Sequence, residues 1–253
     1  LSITPPASAA ITSTGYSRDV AITPDGRRVG YIGGNGTALF VRALDETEPI
    51  RIDDVGMPHH PFISPDGLWI GFLDGASWLK RVPITGGPVE TVCRVVGVGV
   101  TATWTTPEEI VIDMAGGLFR VEASGGEPEL VADAFDSPRL RDGSYLAAAE
   151  RLLVTSLSSD GSARIGALDL ATGEVQLLDI EGGRPQHLSS GHLLFQRDDS
   201  LRVVPFDPET LSPTGPEVVI DEPILFTPFG RRLAYDIAED GTLVYFPAGP
   251  ELG

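Results

Sequence analysis

A hydrolase-type serine nucleophile sits in Gly-x-Ser-x-Gly, the sharp turn that lifts the hydroxyl out of a sheet. The 253-residue sequence has no such run, and Gly15-Tyr16-Ser17-Arg18-Asp19 fails at its last position. Phosphoryl transfer needs a Gly-rich loop ahead of a strand lysine, a His-Arg-Asp loop and Asp-Phe-Gly, none of which occurs. Of the four histidines, His59 and His60 are adjacent. On a regular strand they point to opposite faces and do not share a metal, so they read as a strand start beside Pro61. His187 and His192 flank Ser189-Ser190-Gly191 and read as a solvated turn pair. Asp25 and Asp66 have the oxygen ligands calcium wants, but they recur at one point of a repeat, which suits turn capping better. The single cysteine, Cys93, leaves neither a disulfide framework nor a Cys-rich metal site. From these residues we expect no catalytic residue, no metal and no cofactor.

The elements that must position any site are short. Gly 30 and Pro 21 make up about a fifth of the chain, too many breakers for long helices. With 42% hydrophobic residues, a chain of this length can bury a substantial core. Net charge is −18, which repels polyanions and makes nucleic acid and anionic membranes improbable partners. The uncharged stretch 95–107 is broken by Gly97 and Gly99 and falls short of the roughly 20 residues that span a bilayer. With no initiating methionine and no signal-like start, the chain reads as an excised domain or a processed form.

Pro24-Asp25-Gly26 returns as Pro65-Asp66-Gly67, 41 residues on, and in degenerate form as Pro107-Glu108-Glu109, 42 further. The step continues to Ala148-Ala149-Glu150, Ser189-Ser190-Gly191 and, after a longer gap, Glu239-Asp240-Gly241. Each turn leads into a β-rich apolar run, at residues 28–32, 68–73, 110–114, 151–157, 192–196 and 242–246. Second runs follow at 37–44, 78–84, 118–123, 163–170 and 201–206, and third runs at 49–52, 89–92, 129–131, 175–178 and 217–220. With the strand before each turn, that makes four strands in about 40 residues, the size of a propeller blade. The reading is all-β: a single domain, 1–253, forming a six-bladed β-propeller of four-stranded blades. The blades fall at about 17–53, 58–93, 100–132, 137–180, 184–221 and 231–247, with 1–12 completing the last. The one helical-looking patch, 146–153, reads as a single turn.

Thr23-Pro24-Asp25-Gly26-Arg27-Arg28 and Ser64-Pro65-Asp66-Gly67-Leu68-Trp69 resemble the TolB-like, or PD40, repeats of bacterial β-propellers. Gly125-Gly126-Glu127-Pro128 and the run from Gly191 to Asp207 resemble the propeller in the C-terminal region of bacterial transmembrane serine/threonine kinases. This resemblance implies an extracytoplasmic sensory domain, tethered through a membrane helix outside this chain, with a kinase domain before it. The third, fourth and sixth blades depart from Pro-Asp-Gly. Prolyl-oligopeptidase-type enzymes carry similar propellers, but their catalytic domain has no room here. Six-bladed lactonase-like enzymes hold a channel metal with Glu, Asn and Asp, whereas Asn35 is the only asparagine and lies in a Gly-rich turn.

First strands line a propeller's channel and start near one mouth. Counting back from each turn gives Arg18 and Asp19, His59 and His60, Thr101 and Ala102, Gly183 and Arg184, and Arg232 in the last blade. Trp69, Trp78 and Trp104 read as fillers between blades, with Trp104 best placed to face the channel. The binding site is therefore expected at the mouth carrying Arg18, Asp19, His59, His60, Trp104, Arg184 and Arg232, with Arg18, Arg184 and Arg232 offering a local positive site on an acidic domain. The expected partner is a small ligand or a protein at that mouth, bound by a monomeric, non-catalytic propeller without membrane contact of its own. The alternatives are a stand-alone hydrolase or lactonase with a channel metal, or a TolB-type protein-binding scaffold.

Overall fold

A computed structural model describes residues 9–12, 19–133, 139–227 and 232–248. Four antiparallel sheets of four strands follow in chain order. The first is Val20–Ile22, Arg28–Gly33, Ala38–Ala43 and Ile50–Ile52. The second is Pro58–Ile63, Trp69–Asp74, Trp78–Pro83 and Glu90–Arg94, and the third Thr101–Thr106, Glu109–Met114, Gly117–Glu122 and Glu129–Asp133. The fourth is Arg139–Leu146, Arg151–Leu157, Ala163–Asp169 and Val175–Glu181. A fifth has Gly183–Leu188, His192–Arg197 and Ser200–Asp207, with Ser212–Pro213 and Val218–Ile220 sharing its outer edge. First strands adjoin one another from blade to blade, which makes the arrangement a propeller.

Among the described residues five sheets have the size of a blade, where six were expected. Between the fifth and the first lie two ribbons of two strands, Phe226–Thr227 with Arg232–Leu233 and Tyr235–Ile237 with Leu243–Tyr245. Each ribbon has a single antiparallel pairing, so neither presents the four-stranded ladder of a full blade. Closure by the N-terminal segment is also corrected for the part described. Ile11 bridges Gly33, so residues 9–12 extend the first blade rather than complete the last. Ser2 to Ser8 lie outside the described residues. Ala147–Ala149 forms one 3-10 turn ended by Glu150, and the rest of the helical-looking patch is strand.

The core lies between blades. Ile32, Leu39, Ile70 and Phe72 join the first to the second, and Leu79, Cys93, Trp104 and Ile112 the second to the third. Second strands are buried along their centres in all five blades, whereas every residue of Leu243–Tyr245 is half-buried. Close approach demands glycine at two matching positions. A Cβ on Gly30 would stand 2.3 Å from Ile70 Cδ1, and one on Gly71 2.4 Å from Phe62 Cζ.

The Pro-Asp-Gly turns explain their own repetition. Asp25 Oδ1 accepts from Thr23 Oγ1 at 2.6 Å and from the Arg27 amide at 3.0 Å. Asp66 Oδ1 accepts from Ser64 Oγ and from the Leu68 amide in the same way. These bonds hold the Asp25 carboxyl below its ordinary range. The hydroxyl of Thr23 or Ser64 then accepts the amide of Arg28 or Trp69, closing the hairpin. Both aspartates cap turns.

Candidate functional site

The residues counted back from the turns sit where first strands begin, and several are buried. The second and fifth blades break strand alternation there with bulges, between His59 and Phe62 and between Gly183 and Gln186. His60 and Arg184 occupy these bulges at φ of 53° and 55°, unusual for residues other than glycine. His60 turns its Nε2 to the backbone of Ala102, 3.3 Å from both its N and its O. The reading of His59 and His60 as a regular strand pair is therefore corrected: the bulge aims His60 at the third blade. His59 is half-buried, and desolvation holds its pKa down despite the Met57 backbone bond and Asp74.

Arg184 is 6% exposed and faces the C-terminal ribbons. Its Nη1 donates to the Leu233 carbonyl at 2.5 Å, its backbone amide donates to Thr155 Oγ1 at 2.8 Å, and its guanidinium lies 4.6 Å over the Tyr235 ring. Gln196 accepts the Leu233 amide, and Gln186 donates to Asp236. The other carboxylate oxygen of Asp236 accepts the Ile22 amide at 2.9 Å. A buried polar chain thus runs from the fifth blade through the ribbons to the first. Asp19 is 2% exposed, and its carbonyl accepts the Ile32 amide. Trp104 is buried in the cluster between the second and third blades, with Phe62 6.1 Å away. Arg18 lies outside the described residues, as does the side chain of Arg232. Of the mouth residues, Asp19, His60, Trp104 and Arg184 are buried, and of the three arginines Arg184 alone has a described side chain.

His187 is partly buried against Phe206, and its pKa is lowered by desolvation and by the charge of His192. Opposite partners in the strand pair are His187 with Leu193 and Leu188 with His192, which places the two histidines on opposite faces. Among the described residues no group of three His, Cys, Asp or Glu is placed to hold a metal ion.

Open space lies elsewhere. In an antiparallel blade the first strand starts, the second ends, the third starts and the fourth ends on one face. On this strand-start face a cleft of about 410 Å³ separates the third and fourth blades. Gly97, Gly99, Ala115 and Gly116 give it walls without bulk, Met114, Leu118 and Leu140 supply apolar surface, and Asp113, Asp133 and Arg139 are its charged groups. Arg141 Nε stands 3.9 Å from Asp113 Oδ2, which steadies the buried carboxylate. The sequence carried a signal for this site in Val96-Gly97-Val98-Gly99, an apolar run in a linker where polar residues are the rule. A larger groove of about 860 Å³ on the opposite face is lined by the two Pro-Asp-Gly turns.

The sequence matches no protein family and no curated protein. Solved structures do match. A putative TolB from Agrobacterium tumefaciens aligns with 91% of this chain and 90% of its own, at 17% identity and a TM-score of 0.65. TolB from Acinetobacter baumannii aligns at 15% identity and a TM-score of 0.57, over 76% of this chain. The chain spans only 51% of that protein. Oligogalacturonate lyase from Vibrio parahaemolyticus aligns at 9% identity and a TM-score of 0.60, over 90% of this chain and 73% of its own. Likeness at these identities establishes the fold alone: the chain is a β-propeller, similar in architecture to TolB and to the lyase.

Proposed function

We propose that this chain is a non-catalytic binding propeller that captures a protein or ligand on its strand-start face. The cleft between the third and fourth blades carries the reading. Its volume falls within the usual range of ligand sites, and apolar and glycine walls with a few charged groups match their composition. The buried polar chain supports it from the other side, because groups that would serve channel chemistry are bonded to neighbouring backbone. The resemblance to kinase C-terminal propellers supports an extracytoplasmic sensory role, with the kinase elsewhere in the full protein. No helix among the described residues is long and apolar enough to cross a membrane.

A thermal-shift screen of peptides and small molecules tests this, run on the native chain and on Ala115→Trp, which fills the cleft from an exposed wall position. Hits should raise the melting temperature of the native chain and lose their effect in the variant. Hits indifferent to Ala115→Trp would overturn the site. Calcium or zinc retained after dialysis, together with esterase or lactonase turnover, would overturn the non-catalytic reading.

A further inference from the structure

The two ribbons join the ring through unlike joints. On the first-blade side, Tyr235–Ile237 and Leu243–Tyr245 adjoin Val20–Ile22 directly. Ala238 is buried there with Val20, Ile22 and Tyr31, and Val244 and Phe246 pack against the same cluster. The Ile22 amide donates to Asp236 Oδ2 across this joint at 2.9 Å. On the fifth-blade side, side chains span the joint. Arg184 reaches the carbonyls of Leu233 and Tyr235 at 2.5 and 3.5 Å, Gln196 Oε1 accepts the Leu233 amide at 3.0 Å, and Gln186 Nε2 donates to Asp236 Oδ1 at 3.0 Å. Toward the turns, the Ser189 hydroxyl donates to the Glu239 carbonyl at 2.7 Å and the Ser189 amide to the same oxygen at 3.4 Å. Arg184 does this from a bulge, at a φ of 55° that is strained for an arginine.

The joints differ in what opening costs. Among the described residues, the apolar cluster on the fifth-blade side has five buried members against eight on the first-blade side. Parting apolar surface has no compensation from water, whereas parted hydrogen bonds are remade with water and a buried guanidinium regains its hydration. We infer that the propeller ring opens between the fifth blade and the ribbons, with the ribbons staying on the first blade. This opening is a cooperative excursion of the folded chain that costs less than unfolding a blade, and Arg184 is its main fastening.

Native-state hydrogen exchange of the free chain, read at single residues, tests this, because each joint has an amide of its own. The Leu233 amide is bonded to Gln196 on the fifth-blade side, and the Ile22 amide to Asp236 on the first-blade side. In the native chain Leu233 should exchange at least about tenfold faster than Ile22 and than the amides of Trp69–Asp74 and Glu109–Met114. Its rate should rise with urea below the unfolding range, since opening exposes surface. Arg184→Met removes bonds from a charged donor and should speed Leu233 by a further factor of roughly ten while leaving Ile22 unchanged. Gln186→Met should speed Leu233 by a smaller factor, and it serves if Arg184→Met does not fold. Leu233 exchanging as slowly as Ile22 would overturn the inference. Exchange of Leu233 indifferent to urea would reduce the event to a turn of the Gln196 side chain and overturn it too. Equal acceleration of both amides in Arg184→Met, or of neither, would remove the opening from this joint.

Discussion

Asp236 and Arg184 show why a polar residue near a channel mouth need not face a ligand. Asp236 is 5% exposed and accepts from the Ile22 amide and Gln186, so Asp236→Ala strands a buried donor, at a cost of about 1–3 kcal/mol. A lower denaturant midpoint for Asp236→Ala, with partial recovery in Asp236→Asn, is the expected result. The histidines give a pH dependence of definite sign. Burial lowers the pKa of His59 and His187 from 6.5, so the unfolded chain takes up protons that the folded chain refuses. Their contribution is intact above the unfolded value and is lost as pH falls through it. Melting temperature should drop from about pH 7.5 to about pH 5.5, and His59→Gln with His187→Gln should flatten that drop. The sequence located Asp19, His60 and Arg184 at strand starts, but not their burial. That depends on bulges holding His60 and Arg184 at positive φ, a conformation that arginine does not signal and histidine signals only weakly.

The turns were the most legible elements, because Pro-Asp-Gly names its own geometry and a fixed spacing repeats it. The hydroxyl of Thr23 and Ser64, two residues ahead of each aspartate, belongs to the same motif and is visible in the sequence once its role is known. Gly30 and Gly71 also recur 41 residues apart, yet their reason is tertiary: each accepts a side chain where no Cβ fits. Gly71→Ala should destabilise the chain by about 1–3 kcal/mol, as overpacking does. A melting curve unchanged from the native chain would show that Phe62 can move aside.

At the scale of the molecule, the period of about forty residues announced a propeller, but not how its last turn of chain is spent. The spacing put the turns at 148–150 and 239–241 where strands Arg151–Leu157 and Leu243–Tyr245 follow them; what it did not show is that, among the described residues, the second of these strands has no outer strands beside it. The seam instead relies on the buried polar chain and on Ala9, Val20, Tyr31 and Ala238 packed together. Removing residues 1–12 takes Ala9 from that cluster and the Ile11 bridge from Gly33. The melting temperature should fall by about 2–4 °C for each kcal/mol lost, and an unchanged value would show that the segment does not support the seam. The function we propose lies in the cleft between the third and fourth blades. Hydrogen–deuterium exchange with a hit of the thermal-shift screen bound tests this most directly. Protection is expected to concentrate at residues 95–100 and 113–118, with strands Gly183–Leu188 and Tyr235–Ile237 unchanged. Protection centred on those two strands, with residues 95–100 unaffected, would contradict the account.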